Sequence, residues 1–230
     1  MVKKLAVVIA ALVLVTGCGG SAEPEAKSLP KPKIYTAAQL EAAMPKAADL
    51  PSGKEQTGKC PGDDTCVEPD EGVEFSRTFS LKLPFSGAEA EKAAADGIAD
   101  YLAFTVTQSA TATAATTKLA MDRKEQSRYD GRFDEKAVKT GKGFTFGLRG
   151  TGVMTDATVA KWPGFELERD MTLTNLNGGD EGEIRDYQLR ARRGAVSIFV
   201  QVGSGQGERT LEECEKIARV VAKDYLARLG

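Results

Sequence analysis

The sequence predicts an α+β fold: an antiparallel sheet packed by about three helices in a single domain. Three observations carry that prediction. Three hydroxyl residues are each followed three positions later by Glu or Gln and then by a helical apolar pattern: Thr36 with Gln39, Ser86 with Glu89, and Thr210 with Glu213. Between these starts lie stretches that alternate apolar and polar residues as half-buried strands do. The 230-residue chain is 41% hydrophobic and 28% charged, which suffices for one core and does not suit a disordered chain.

From the N-terminus, Lys3 and Lys4 precede an unbroken apolar run, Leu5 to Val15, and Val15-Thr16-Gly17 leads into Cys18. A basic start followed by an apolar run and small residues is a secretory signal. Eleven helical residues rise only about 16 Å, roughly half the hydrocarbon thickness, so the run is too short for a transmembrane span. Val15-Thr16-Gly17-Cys18 resembles the bacterial lipobox, which implies a diacylglyceryl group on the Cys18 thiol and cleavage after Gly17. Two acyl chains on one residue meet the requirement for stable anchoring. The expected location is the extracytoplasmic face of the cell membrane. Loss of residues 1–17 leaves 29 basic against 33 acidic side chains, a charge of −4, which argues against electrostatic adhesion to anionic lipid.

Residues 18–33 are rich in Gly, Ser, Ala, Pro, Glu and Lys, with one leucine, and read as a lipidated flexible tether; the globular domain is expected over residues 34–230. The first helix places Leu40, Met44 and Ala47 on one face and is expected to stop before Pro51. The second, from Ser86, shows Ala90, Ala94, Ile98, Tyr101 and Leu102; the third shows Leu211, Cys214, Ala218, Val221 and Tyr225. Strands are expected over Val73 to Leu83, Gly143 to Leu148, Phe165 to Thr174, Glu183 to Arg192 and Ala195 to Val202, with a tight hairpin at Arg193-Gly194. Thr105 to Lys118 has neither period, and whether it extends the second helix, forms a strand or wanders is left open.

The functional reading begins with exclusions. The chain has no histidine, which removes Ser-His and Cys-His nucleophile pairs, histidine acid-base catalysis and imidazole metal sites. A net charge of −2 lacks the basic footprint of a nucleic-acid binder. Gly203-Ser204-Gly205-Gln206-Gly207 lacks the dinucleotide-loop spacing, because position 208 is Glu208. Ser28-Leu29-Pro30-Lys31 and Lys139-Thr140-Gly141 have the form of penicillin-binding motifs, but Pro30 prevents the helix that the first requires.

Cys60 and Cys66 flank a Pro-Gly-Asp turn and suit a local disulfide in an oxidising compartment, with Cys214 as a buried thiol; pairing of Cys214 with either remains the rival. Asp63, Asp64, Glu68, Asp70, Glu71 and Glu74 lack calcium-loop spacing and read as a solvated acidic loop, and Asn177 to Asp180 as a turn. Glu166 with Glu168, or Asp180 with Glu183, could supply the two carboxylates of a glycosidase. Trp162, at a turn entering a strand, reads as core before it reads as a ligand platform. No metal, cofactor or catalytic residue is assigned.

Five features carry a further resemblance: Thr36-Ala37-Ala38-Gln39-Leu40, Leu50-Pro51-Ser52-Gly53, Gly179-Asp180-Glu181, the Arg193-Gly194 hairpin and the cysteine-bearing last helix. In this order the chain resembles the extracellular sensor domain of actinobacterial membrane serine/threonine kinases and the stand-alone lipoproteins related to it. The resemblance implies an antiparallel sheet packed by helices, a cleft for an unidentified ligand, and no established catalysis. Lys54 stands where that family has an aromatic residue, and the three thiols left after acylation of Cys18 cannot form its two disulfides, so no ligand residues are carried over. The expectation is a lipid-anchored, non-enzymatic ligand-binding or sensing protein whose partners are the membrane and an unknown envelope ligand or protein. An envelope scaffold and a histidine-free carboxylate hydrolase are the alternatives.

Overall fold

The structure, a computed structural model, describes residues 33–50, 54–56, 72–81, 100–139, 145–176, 181–205 and 209–230. Among the described residues eight strands form one antiparallel sheet: β1 (Lys54–Gln56), β2 (Gly72–Ser80), β3 (Tyr101–Ser109), β4 (Gly131–Lys139), β5 (Thr145–Val159), β6 (Trp162–Asn175), β7 (Glu181–Arg193) and β8 (Val196–Gly205). Their order is β1-β2-β3-β8-β7-β6-β5-β4. Among the described residues three helices pack on this sheet: α1 (Ala37–Ala43), α2 (Ala112–Gln126) and α3 (Leu211–Leu229). The predicted α+β class is the observed one.

Antiparallel register assigns each side chain to a face. On one face, Phe79, Leu102, Val202 and Tyr187 lie in a row across four strands; Phe104, Val200 and Leu189 form the next, and Val106, Ile198 and Ala191 a third. These residues are buried together with Leu40 and Met44 of the α1 region and with Cys214, Ala218, Val221, Ala222, Tyr225, Leu226 and Leu229 of α3. The capping boxes at Thr36 and Thr210 are both formed: the Thr210 amide donates to Glu213 Oε2 at 2.8 Å, and the Glu213 amide donates to Thr210 Oγ1 at 3.2 Å. The bond from the Thr210 amide, with the Thr210 hydroxyl adding to it, holds the Glu213 carboxyl below its ordinary pKa.

The sequence reading is corrected at several boundaries. α1 stops at Ala43, well short of Pro51, because Pro45 pushes Met44 to an extended ψ of 143°. A short 3-10 turn over Ala47–Asp49 follows, fastened to α3 by Arg228 Nη1 donating to Asp49 Oδ2 at 2.7 Å. Tyr101 and Leu102, assigned by pattern to the second helix, belong to β3; the helix expected from Ser86 lies outside the described residues. The undecided Thr105 to Lys118 segment divides into the end of β3 and the start of α2, with Thr111 capping the Ala114 amide at 3.0 Å. The strand read at Gly143 to Leu148 runs on to Val159, β4 and β1 were not anticipated, and Gly203 to Gly205 belong to β8 instead of a connection. The chain enters the fold beside its own end: Lys33 Nζ donates to the Gly230 carbonyl at 3.0 Å, and the Gln108 amide clasps the Tyr35 backbone with two bonds of 2.9 Å.

Two hairpin turns show opposite chemistry. Between β7 and β8, Gly194 has φ +61° as the first of two loop residues, the conformation that glycine adopts without a Cβ clash. Between β5 and β6 the loop pair is Ala160 (φ +46°) and Lys161 (φ +69°), both left-handed without glycine. Replacing them together with Asn and Gly is expected to raise stability by about 1 kcal/mol, read as an upward Tm shift of roughly 2–4 °C. An unchanged or lower Tm would mean that the turn is already relaxed.

The other face of the sheet carries a buried polar centre. Asp186, fully buried, accepts at Oδ1 from Arg169 Nε (3.0 Å) and Nη2 (2.8 Å) and from Gln188 (3.3 Å). Its Oδ2 accepts from Tyr101 Oη at 3.3 Å and from Gln201 Nε2. Gly203 lies beneath the Tyr101 ring: a Cβ there would stand 2.2 Å from the ring edge, so the absent side chain admits the tyrosine. The Arg169 guanidinium lies 4.8 Å over the Tyr129 ring, beside a second apolar cluster of Tyr129, Phe133, Leu167 and Met171. Burial, with the Asp186 charge adding to it, drives the Tyr101 hydroxyl far above its ordinary pKa.

Candidate functional site

On this second face, α2 crosses the sheet and leaves a cavity of about 270 Å³. β2 contributes Glu74, β3 Thr105 and Thr107, β8 Ser197 and Phe199, β7 Arg190, and α2 Lys118 and Asp122. Register brings them together: Ser76, Thr105, Phe199, Arg190 and Phe165 lie in one row from β2 to β6. α2 reaches this row because Ala115 packs down as its buried residue while Asp122 and Arg123 reach the sheet.

Arg190 organises the site. Its guanidinium sits 4.1 Å over the Phe199 ring, and Nη1 donates to Asp122 Oδ2 at 2.9 Å. Lys118 Nζ lies 3.9 Å from the other Asp122 oxygen. Burial lowers the Arg190 pKa, with Asp122 opposing the shift. Across the cavity, Thr107 Oγ1 donates to Glu74 Oε2 at 2.9 Å. Two polar atoms of the lining residues, Arg190 Nε and Ser197 Oγ, are buried without a hydrogen-bond partner. Such groups are uncommon in native interiors, where most polar atoms find a partner.

The residues singled out in the sequence are placed as follows. Glu166 and Glu168 stand two apart on β6, on the α3 side of the sheet, near Glu215 and Arg219. Glu166 is engaged at both oxygens: Oε1 accepts from Thr155 at 3.0 Å, and Oε2 accepts from Tyr187 at 2.5 Å and from Arg219. Glu166 thereby pins α3 to the sheet through Arg219. Burial, then Glu215 and Glu166, raise the Glu168 pKa. Glu183 is exposed on β7, and its proposed companion Asp180 lies outside the described residues. Trp162 is a core residue at 5% exposure. Glu74, read as part of an acidic loop, is a strand residue. Cys18, Cys60 and Cys66 lie outside the described residues, as do residues 1–17, read as the leader, and 18–32 of the expected tether. Among the described residues no cluster of metal-binding side chains forms, and no helix is long and apolar enough to cross a membrane.

Cys214 is a free, fully buried thiol whose pKa is pushed up to about 12 by burial, with the Asp100 charge adding to it. Iodoacetamide at mildly alkaline pH should therefore leave Cys214 unmodified in the folded chain and alkylate it after denaturation, read by peptide mass spectrometry. Rapid native labelling would overturn this.

The fold has a counterpart among solved structures. This chain is similar to the extracellular domain of PknH from Mycobacterium tuberculosis, with 12% identity and a TM-score of 0.51 over 86% of this chain and 97% of that one. At that identity the likeness shows the fold alone, and it agrees with the architecture that the sequence resemblance implied. No family model and no curated protein matches the sequence.

The cavity residues escaped sequence reading because they are scattered over five elements. Arg190 and Ser197 occupy the outward positions of strands whose inward positions, Leu189, Ala191, Val196 and Ile198, supplied the visible alternation. The one available signal was the even positions of β7, where Asp186, Gln188 and Arg190 succeed one another on a face that the register then covers.

Proposed function

We propose that this chain is a lipid-anchored extracytoplasmic protein whose α+β domain binds a small polar ligand and performs no catalysis of its own. The cavity beneath α2 carries the reading: it gathers a desolvated guanidinium, a carboxylate from each side and three hydroxyls, yet leaves Arg190 Nε and Ser197 Oγ unpaired. Apolar walls with a few convergent polar groups on a concave site are the ordinary form of a ligand pocket, and Leu119 and Phe199 supply apolar wall here. The lipobox-like Val15-Thr16-Gly17-Cys18 and the similarity to an extracellular domain support the placement outside the membrane, and the absence of histidine supports the non-catalytic reading. The engagement of Glu166 by Tyr187, Thr155 and Arg219 speaks against its service as a free acid or base.

Two measurements test the reading. A Cys18→Ala variant is expected to leave the membrane fraction after a salt wash, and continued sedimentation would remove the anchor. A thermal-shift screen of the full chain against envelope lipids, glycans and metal ions is expected to give at least one hit. Silence across the screen would remove the binding role.

A further inference from the structure

The ligand class follows from the charge balance of the cavity, and this inference rests on the binding role proposed above. Arg190 and Lys118 are matched by Glu74 and Asp122, two cations against two carboxylates. Asp122 already answers both cations, with oxygens 2.9 Å from Arg190 Nη1 and 3.9 Å from Lys118 Nζ. An incoming anion would face Glu74 and Asp122, and an incoming cation would face Arg190 and Lys118; each sign is opposed by like charge in a partly desolvated site. What remains is hydrogen-bonding capacity of both kinds. A guanidinium only donates, a carboxylate only accepts, and the hydroxyls of Thr105, Thr107 and Ser197 do both. The ligand group that can donate to Glu74 and accept from Arg190 is itself a hydroxyl. The volume, about 270 Å³, is just under the roughly 300–1,000 Å³ of drug-sized sites and has room for one small ring.

We infer that the cavity between α2 and the β2-β3-β8-β7 surface binds an uncharged, hydroxyl-rich ring, a monosaccharide unit, with Glu74 as acceptor and Arg190 as donor. Ser197 completes the floor by turning its unpaired hydroxyl to a sugar oxygen.

Calorimetric titration of the full chain in phosphatidylcholine nanodiscs tests this, with glucose, mannose and N-acetylglucosamine as probes and acetate, inorganic phosphate and glycine as comparisons. At least one sugar should bind saturably, and the three charged probes should not. Glu74→Gln retains an oxygen for Thr107 but loses the carboxylate, and it should weaken sugar binding at least tenfold. Ser197→Ala should weaken it severalfold, and Glu181→Gln, outside the cavity, should leave it unchanged. Arg190 also anchors α2 and is left intact, and circular dichroism of each variant confirms that it is folded. Sugar binding unaffected by both cavity substitutions would overturn the site. Binding of acetate, phosphate or glycine that Glu74→Gln abolishes, with sugars silent, would overturn the ligand class and leave the binding role standing. Silence from all six probes would overturn the sugar assignment, and the broader screen decides the binding role separately.

Discussion

Asp186→Ala is expected to destabilise the domain by about 3–5 kcal/mol, a large part of the roughly 5–15 kcal/mol that holds a typical domain folded. The wild-type carboxylate is fully buried and receives five hydrogen bonds, from Arg169, Gln188, Tyr101 and Gln201. Alanine leaves the Arg169 guanidinium charged at 10% side-chain exposure with its counter-ion gone. The loss should appear as a lower urea midpoint at unchanged m-value. Joint replacement of Asp186 by Leu and Arg169 by Met should cost less than Asp186→Ala alone, because no charge is then stranded in the interior. An Asp186→Ala variant within about 1 kcal/mol of wild type would mean that water reaches Arg169 and that the centre is not dry.

Phe104→Ala should cost a similar amount, about 3–5 kcal/mol, for a different reason. The ring is fully buried in β3, and its centroid lies 4.8 Å from that of Tyr225 in α3. Truncation opens a cavity where the last helix meets the sheet, lowering Tm by roughly 10 °C. Phe104→Leu refills most of that volume and should recover more than half of the loss. If alanine and leucine behaved alike, the contribution would lie in the aromatic pairing more than in the filled volume.

The two variants probe opposite faces of the sheet, and those faces differed in how legible they were. Tyr187, Leu189 and Ala191, followed by Val196, Ile198, Val200 and Val202, display a two-residue period, and the capping boxes mark α1 and α3 directly. The C-terminal half of the fold was therefore readable. The opposite face is built from Asp186, Gln188, Arg190, Thr105 and Gln201, whose polarity imitates a solvent-facing side. Only register shows that Asp186 is enclosed by Arg169, Tyr101 and Gln201. α2 stayed hidden because its sequence is alanine, threonine and charge, with Ala115 as its one buried residue and Ala114 where a capping box would place Glu or Gln. It is held by specific anchors, Asp122 to Arg190 and Arg123 to Asp156, more than by an apolar stripe. The candidate cavity lies beneath the helix that composition concealed, and for that reason the sequence pointed to a binding domain without pointing to the place of binding.

The contact between Lys33 and Gly230 makes the fold topologically reclosable. A few glycines and serines could splice the carboxyl end to residue 33, with new termini opened at the strained Ala160-Lys161 bend. Such a permuted chain would keep every described strand pairing intact, and a reporter fused after Gly230 would lie beside Lys33, at the end of α3.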